Sequence, residues 1–133
     1  MTILLVANDK ARFSALVDGL QQGRGAEVVS AANGKAGLEE LKEKPIDLVI
    51  VDEQLDDMTG IDLVKQVVKV KPLVNTAVVS VLSAEDFHDA TEGLGVLMQL
   101  PPQPQAGDAE RLLAILTRIT GLMQPQTGKA GRI

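Results

Sequence analysis

The sequence predicts an α/β fold, a single doubly wound parallel sheet of five strands. Three observations predict it. Apolar runs of strand length alternate with helix-length amphipathic stretches, the mark of a parallel sheet joined by crossover helices. The residues just after three of those runs are polar, which suits an open sheet whose ligands gather beyond the carboxyl ends of its strands. The chain has 133 residues, and at roughly 100 to 200 residues per domain that is one domain.

The first strand is Ile3 to Ala7, and Phe13, Leu16, Val17 and Leu20 then share one helical face ended by Gly23 and Gly25. Glu27 to Ala31 is the second strand, and Ala36, Leu38 and Leu41 mark a short helix stopped before Pro45. Asp47 to Val51 follows as the third strand, with Ile61, Val64, Val67 and Val68 on the next helix. Ala77 to Leu82 is the fourth strand, and the helix behind it is weak, from Glu85 to Glu92 at most. Val96 to Leu100 is the fifth strand. Pro101, Pro102 and Pro104 remove donors and fix the backbone, so the stretch to Gly107 is a loop. The last helix carries Leu112, Leu113, Ile115, Leu116 and Ile119 behind Asp108, its expected N-cap. The folded unit is expected over 1–122. Residues 123–133 offer no apolar face to bury and read as a C-terminal linker or tail.

Composition excludes several functions. The absence of cysteine removes disulfides, thiolate zinc sites, iron-sulfur clusters and cysteine nucleophiles. Thirteen Lys and Arg against 18 Asp and Glu leave a net charge of -5, which disfavours direct binding to nucleic acid or an anionic membrane. Phe13 and Phe87 are the only aromatic residues, so no base-stacking platform exists. No apolar run approaches the ~20 residues of a membrane span, and Met1 to Val6 lacks the features of a signal peptide, so the cytoplasm is the expected location. Gly23-Arg24-Gly25 lacks the third glycine of a dinucleotide loop, and no phosphate-cradling loop is present. His88, the one histidine, reads as a solvated side chain.

The residues after the strands are Asn8-Asp9, Asp52-Glu53-Gln54 and Ser83-Ala84-Glu85-Asp86. Either acid alone is what a solvated loop or a helix cap would also place there. Asp9 and Asp52 together, brought to one edge by neighbouring strands, make a hard oxygen site suited to magnesium.

Taken as a set, these residues resemble the receiver domain of two-component response regulators. The run Asp47-Leu48-Val49-Ile50-Val51-Asp52, followed by Leu55, Met58 and Gly60, is similar to the family's third strand, phosphoacceptor and Met-x-Gly entry to the third helix. Ile3 to Asp9 resembles the strand leading to an acidic pair, and Val81-Leu82-Ser83-Ala84 the fourth strand with its Ser/Thr-Ala. The resemblance implies a flavodoxin-like strand order of 2-1-3-4-5, which the right-handed crossover rule also favours. It implies that Asp52 accepts a phosphoryl group from a histidine kinase, a phosphotransfer protein or a small phosphodonor. Asp9, Asp52 and the backbone carbonyl of Gln54 would be magnesium ligands, and Ser83 the switch hydroxyl that meets the phosphoryl oxygens. Output would pass through contacts with a downstream protein or a fused output domain. Leu100-Pro101 would be the turn leaving the fifth strand, with Pro101 in the cis form.

The departures from the family pattern are specific. Asn8 stands where the first acid is usual, and losing such a group often costs ~10 to 100-fold in metal affinity, so magnesium is expected to bind weakly. Asp56 replaces a common proline. Leu100 takes the place of the lysine that precedes the proline, with Gln103-Pro104 as a second register, and no lysine occurs between Lys71 and Lys129. The aromatic residue of the fifth strand falls on Val96 or Leu97. Lys10 follows Asp9 and reads as a solvated first-turn residue. Phosphorylation on Asp52 is the leading reading, with at most self-phosphorylation and autodephosphorylation as activity. The alternative is a phosphorylation-independent pseudo-receiver that binds proteins. A hydrolytic phosphatase ranks lowest, because Gln54 stands where a general acid would be needed.

Overall fold

Successive side chains of a strand point to opposite faces of the sheet, so a strand that is apolar throughout must be covered on both sides. The sheet has five strands, β1 (Thr2–Val6), β2 (Glu27–Ala31), β3 (Leu48–Val51), β4 (Asn75–Val79) and β5 (Val96–Leu100), of which β1, β3 and β4 are covered in this way while the edge strands β2 and β5 are only partly buried. All pairings are parallel, in the order β2-β1-β3-β4-β5, the order expected from the sequence. The computed structural model describes residues 1–123. The expected tail therefore lies, apart from Met123, outside the described residues.

The helices are α1 (Ser14–Arg24), α2 (Gly34–Glu43), α3 (Gly60–Val70), α4 (Ala84–Thr91) and α5 (Ala106–Met123), with a 3-10 turn at Lys10–Phe13 ahead of α1. On one face of the sheet Ile3, Leu5, Leu48, Ile50, Ala77 and Val79 pack with Phe13, Leu16 and Leu20 and with Leu112 and Leu116 of α5. On the other face Leu4, Val6, Val49, Val51 and Val78 pack with Leu41, Leu63, Val64, Val67 and Phe87. The alternation is strict along β1, β3 and β4. A one-residue slip would exchange the two cores. No helix among the described residues is long and apolar enough to cross a membrane.

Three local expectations are corrected. The fourth strand was expected over Ala77 to Leu82 but runs over Asn75–Val79. Val81 and Leu82 are apolar and yet exposed, because the Ser80 hydroxyl accepts from the Leu82 N–H and turns the chain off the sheet. Asp108 is not the N-cap of α5, which begins at Ala106. Asp108 lies in the first turn, and its carboxylate accepts from the Gln105 N–H and pairs with Arg111. Every described peptide bond is trans, including Leu100-Pro101. Trans is the lower-energy isomer by about 0.5–1 kcal/mol, and Pro101, which is exposed, has no packing that would reverse that preference. The fourth helix is short, as expected, and Gly93 and Gly95 follow it at φ 83° and 70°.

Candidate functional site

Asp52 follows β3, the central strand, and its N–H donates to the Val6 carbonyl of β1 at 3.0 Å. This ladder bond fixes the backbone, and the residue is only 5% exposed. Gly60, at the start of α3, sits directly against the Asp52 carbonyl. A Cβ there would overlap that oxygen, so the Met-x-Gly spacing is a steric requirement.

The Asp52 carboxylate has two partners on one oxygen. Its Oδ1 accepts from the Glu53 N–H at 2.7 Å and from an Nη of Arg12 at 2.7 Å. Arg12 lies in the 3-10 turn, which Asp9 caps by accepting the Ala11 N–H at 3.1 Å. Its guanidinium stands 5.1 Å over the ring of buried Phe13, and its Nε is buried without a partner. The sequence reading missed Arg12. Lys10, two residues before it, is exposed, as the sequence reading expected.

The surrounding acids are each engaged. Asn8 donates its side-chain amide to Asp56 at 3.0 Å. Asp57 accepts the N–H groups of Gly34 and Lys35 at 2.8 and 3.0 Å, where α2 begins, and these bonds hold its carboxyl below the usual range. Glu53 accepts the Val81 N–H at 3.0 Å. The loop from β3 to α3 is thus tied to β1, to α2 and to the loop after β4.

The expected magnesium ligands can be tested on this geometry. Asp52 Oδ1 already faces a guanidinium, and the Asp9 carboxylate turns back to its own loop. Among the described residues no group of three or more His, Cys, Asp or Glu side chains is placed to hold a metal ion. The residues as arranged do not fit a divalent cation. An ion at Asp52 would compete with Arg12 for that carboxylate.

Ser83 is exposed and caps α4, its Oγ accepting the Asp86 N–H at 3.1 Å. Ser80 is buried at the end of β4 and, with Glu53, Gln54 and Thr59, lines a cavity of about 380 Å³. Leu100 is fully buried in the core formed with α1 and α5. Gln99, another residue the sequence did not flag, donates its amide to the Ser80 and Leu82 carbonyls at 3.1 and 2.8 Å.

Comparison with known proteins places this geometry in context. Residues 3–100 match the family model described as the response regulator receiver domain. The transcriptional regulatory protein ZraR of Klebsiella oxytoca is 30% identical over 83 residues, which is 62% of this chain and 19% of that protein. The chemotaxis protein CheY of Thermotoga maritima is 29% identical over 83 residues, 62% of this chain and 69% of CheY. The chain thus matches about a fifth of the length of the first of these relatives. Among solved structures, a CheY-like receiver domain protein from Methanospirillum hungatei JF-1 superposes with a TM-score of 0.78 at 20% identity, covering 92% of this chain and 98% of that one.

Proposed function

The chain belongs to the response regulator receiver domain family, and from that membership we propose that Asp52 accepts a phosphoryl group in two-component signalling. The observation that carries the reading is the position of Asp52. It is a buried carboxylate at the carboxyl end of the central strand, where an open parallel sheet collects its ligands. Receiver domains are generally signalling modules that interact with histidine kinases or phosphotransfer proteins and with output domains. The same partner classes are proposed here.

In the transfer, a carboxylate oxygen of Asp52 attacks the phosphorus of a partner's phosphohistidine. A P–O bond forms, the P–N bond breaks, and the departing imidazole takes a proton from solvent. Receiver domains typically bind magnesium at an acidic pocket. Here Asp9, Asp52 and the Gln54 carbonyl would hold the ion only weakly and after the carboxylates rearrange, because Asp9 is turned to its own loop, Arg12 competes for Asp52 and Asn8 supplies no charge.

The test uses a small phosphodonor with excess magnesium, read by intact mass. One phosphoryl group should be added, and Asp52→Asn should abolish it. No added mass at any magnesium concentration overturns the reading.

A further inference from the structure

The guanidinium at Asp52 is held from several directions. A capped turn fixes its backbone, a buried phenyl ring lies under it at 5.1 Å, and the Asp52 carboxylate receives one of its donors at 2.7 Å. A guanidinium has five N–H donors in a fixed fork. The Nε–H of Arg12 is buried and meets no acceptor, an arrangement that costs free energy until one arrives. The strand that should deliver a lysine to this edge delivers buried Leu100 instead. Arg12 also occupies an oxygen of Asp52 that a metal ion would draw on.

We propose that Arg12 is the built-in cation of the site. It neutralises Asp52 before transfer and pairs with the phosphoryl oxygens afterwards, so one side chain replaces both the divalent ion and the lysine of the fifth strand. The proposal rests on Asp52 being the phosphoacceptor. A phosphoryl group on Asp52 brings acceptor oxygens to a guanidinium already in contact with that carboxylate, and it offers the unpartnered Nε–H its acceptor. The covalent step is the one already written, with phosphoramidate as donor in the test. A P–O bond to Asp52 forms, the P–N bond breaks, and ammonia leaves with the proton.

The full chain, Arg12→Gln and Arg12→Lys are incubated with phosphoramidate in magnesium or in chelator, and modification is followed by intact mass and phosphorus NMR. Wild type should reach in chelator a rate within about threefold of its rate in magnesium. Arg12→Gln should fall at least ~10-fold in chelator and recover with magnesium, the scale of one charge-assisted hydrogen bond lost, with Arg12→Lys between the two. Calorimetric titration of the unmodified proteins should show magnesium binding about tenfold tighter in Arg12→Gln than in wild type, for the same reason. Wild-type modification that requires magnesium, with Arg12→Gln unchanged in rate and in metal affinity, overturns the role of Arg12 and leaves Asp52 as the acceptor. No modification of any protein under any condition overturns the acceptor reading and the proposal together. If Arg12→Gln loses its native circular dichroism, wild type alone decides, since modification in chelator supports the proposal and strict dependence on magnesium overturns it.

Discussion

The side-chain amide of Asn8 donates to the carboxylate of Asp56 at 3.0 Å, joining two residues 48 positions apart. Both depart from the family pattern, one replacing an acid and the other a proline, and the structure makes them partners. Asn8→Asp would set a second carboxylate against Asp56 and remove the donor. Stability at neutral pH should fall by about 0.5–1 kcal/mol, the lower range for a hydrogen bond because both groups are exposed. The exchanged pair Asn8→Asp with Asp56→Asn should recover it in urea unfolding. Equal loss in the single and double variants would show that the contact is not what matters.

Asp57 sets part of the acid limb of stability. The α2 amides of Gly34 and Lys35 hold its folded pKa below the unfolded value of 3.8. A group of this kind stabilises fully above its unfolded pKa, and the contribution is lost as pH falls through the lower, folded value. Thermal unfolding of wild type should therefore weaken below about pH 4. Asp57→Asn, which turns an acceptor into a donor facing two donors, should be less stable at neutral pH and flatter with acid. A parallel acid limb in the variant would refute the assignment.

Asp52→Asn gives a prediction of sign. In a cluster of acids without a cation, neutralising one acid relieves repulsion and stabilises. Here Asp52 is paired with Arg12, whose side chain is 34% exposed. Breaking a buried pair costs ~3–5 kcal/mol, and solvent screening at the arginine reduces the expected loss to about 1–2 kcal/mol. Chemical denaturation of Asp52→Asn should show that loss. A gain in stability would contradict the pairing.

Leu100→Lys tests whether the missing lysine can simply be restored. The Leu100 side chain is fully buried among apolar groups, so a lysine there would bury an unpaired charge. A loss of about 3–5 kcal/mol is expected, enough to unfold a marginal domain. A variant of wild-type stability would mean that the side chain can turn out toward Asp52.

The sheet was legible because its signal is local. β2 and β5 occupy the residues the apolar runs marked, and the strand order is the one the family resemblance implied and the crossover rule favoured. β4 was misread because an apolar residue in sequence carries no record of burial. Val81 and Leu82 extend the run and yet face solvent. The position of Asp52 at a strand end was legible for the same local reason. Its partner was not, since Arg12 lies 40 residues away and only the folded turn after β1 brings it to the carboxylate. The sequence reading also looked for a lysine on the fifth strand, and the cation present is an arginine on the first loop. Ser83, expected as the switch hydroxyl, caps α4, a role that depends on where the helix begins and that the sequence reading did not assign to it.

The amide of Gln99 has a mechanical consequence. Its nitrogen holds the carbonyls of Ser80 and Leu82, so one side chain on β5 restrains two successive points of the loop after β4. A carboxamide nitrogen carries two hydrogens in one plane, and no rotation of it can follow both carbonyls if they move apart. A displacement that separates the two carbonyls therefore costs at least one of these bonds, and the conformation of the loop after β4 is coupled through this one side chain to β5.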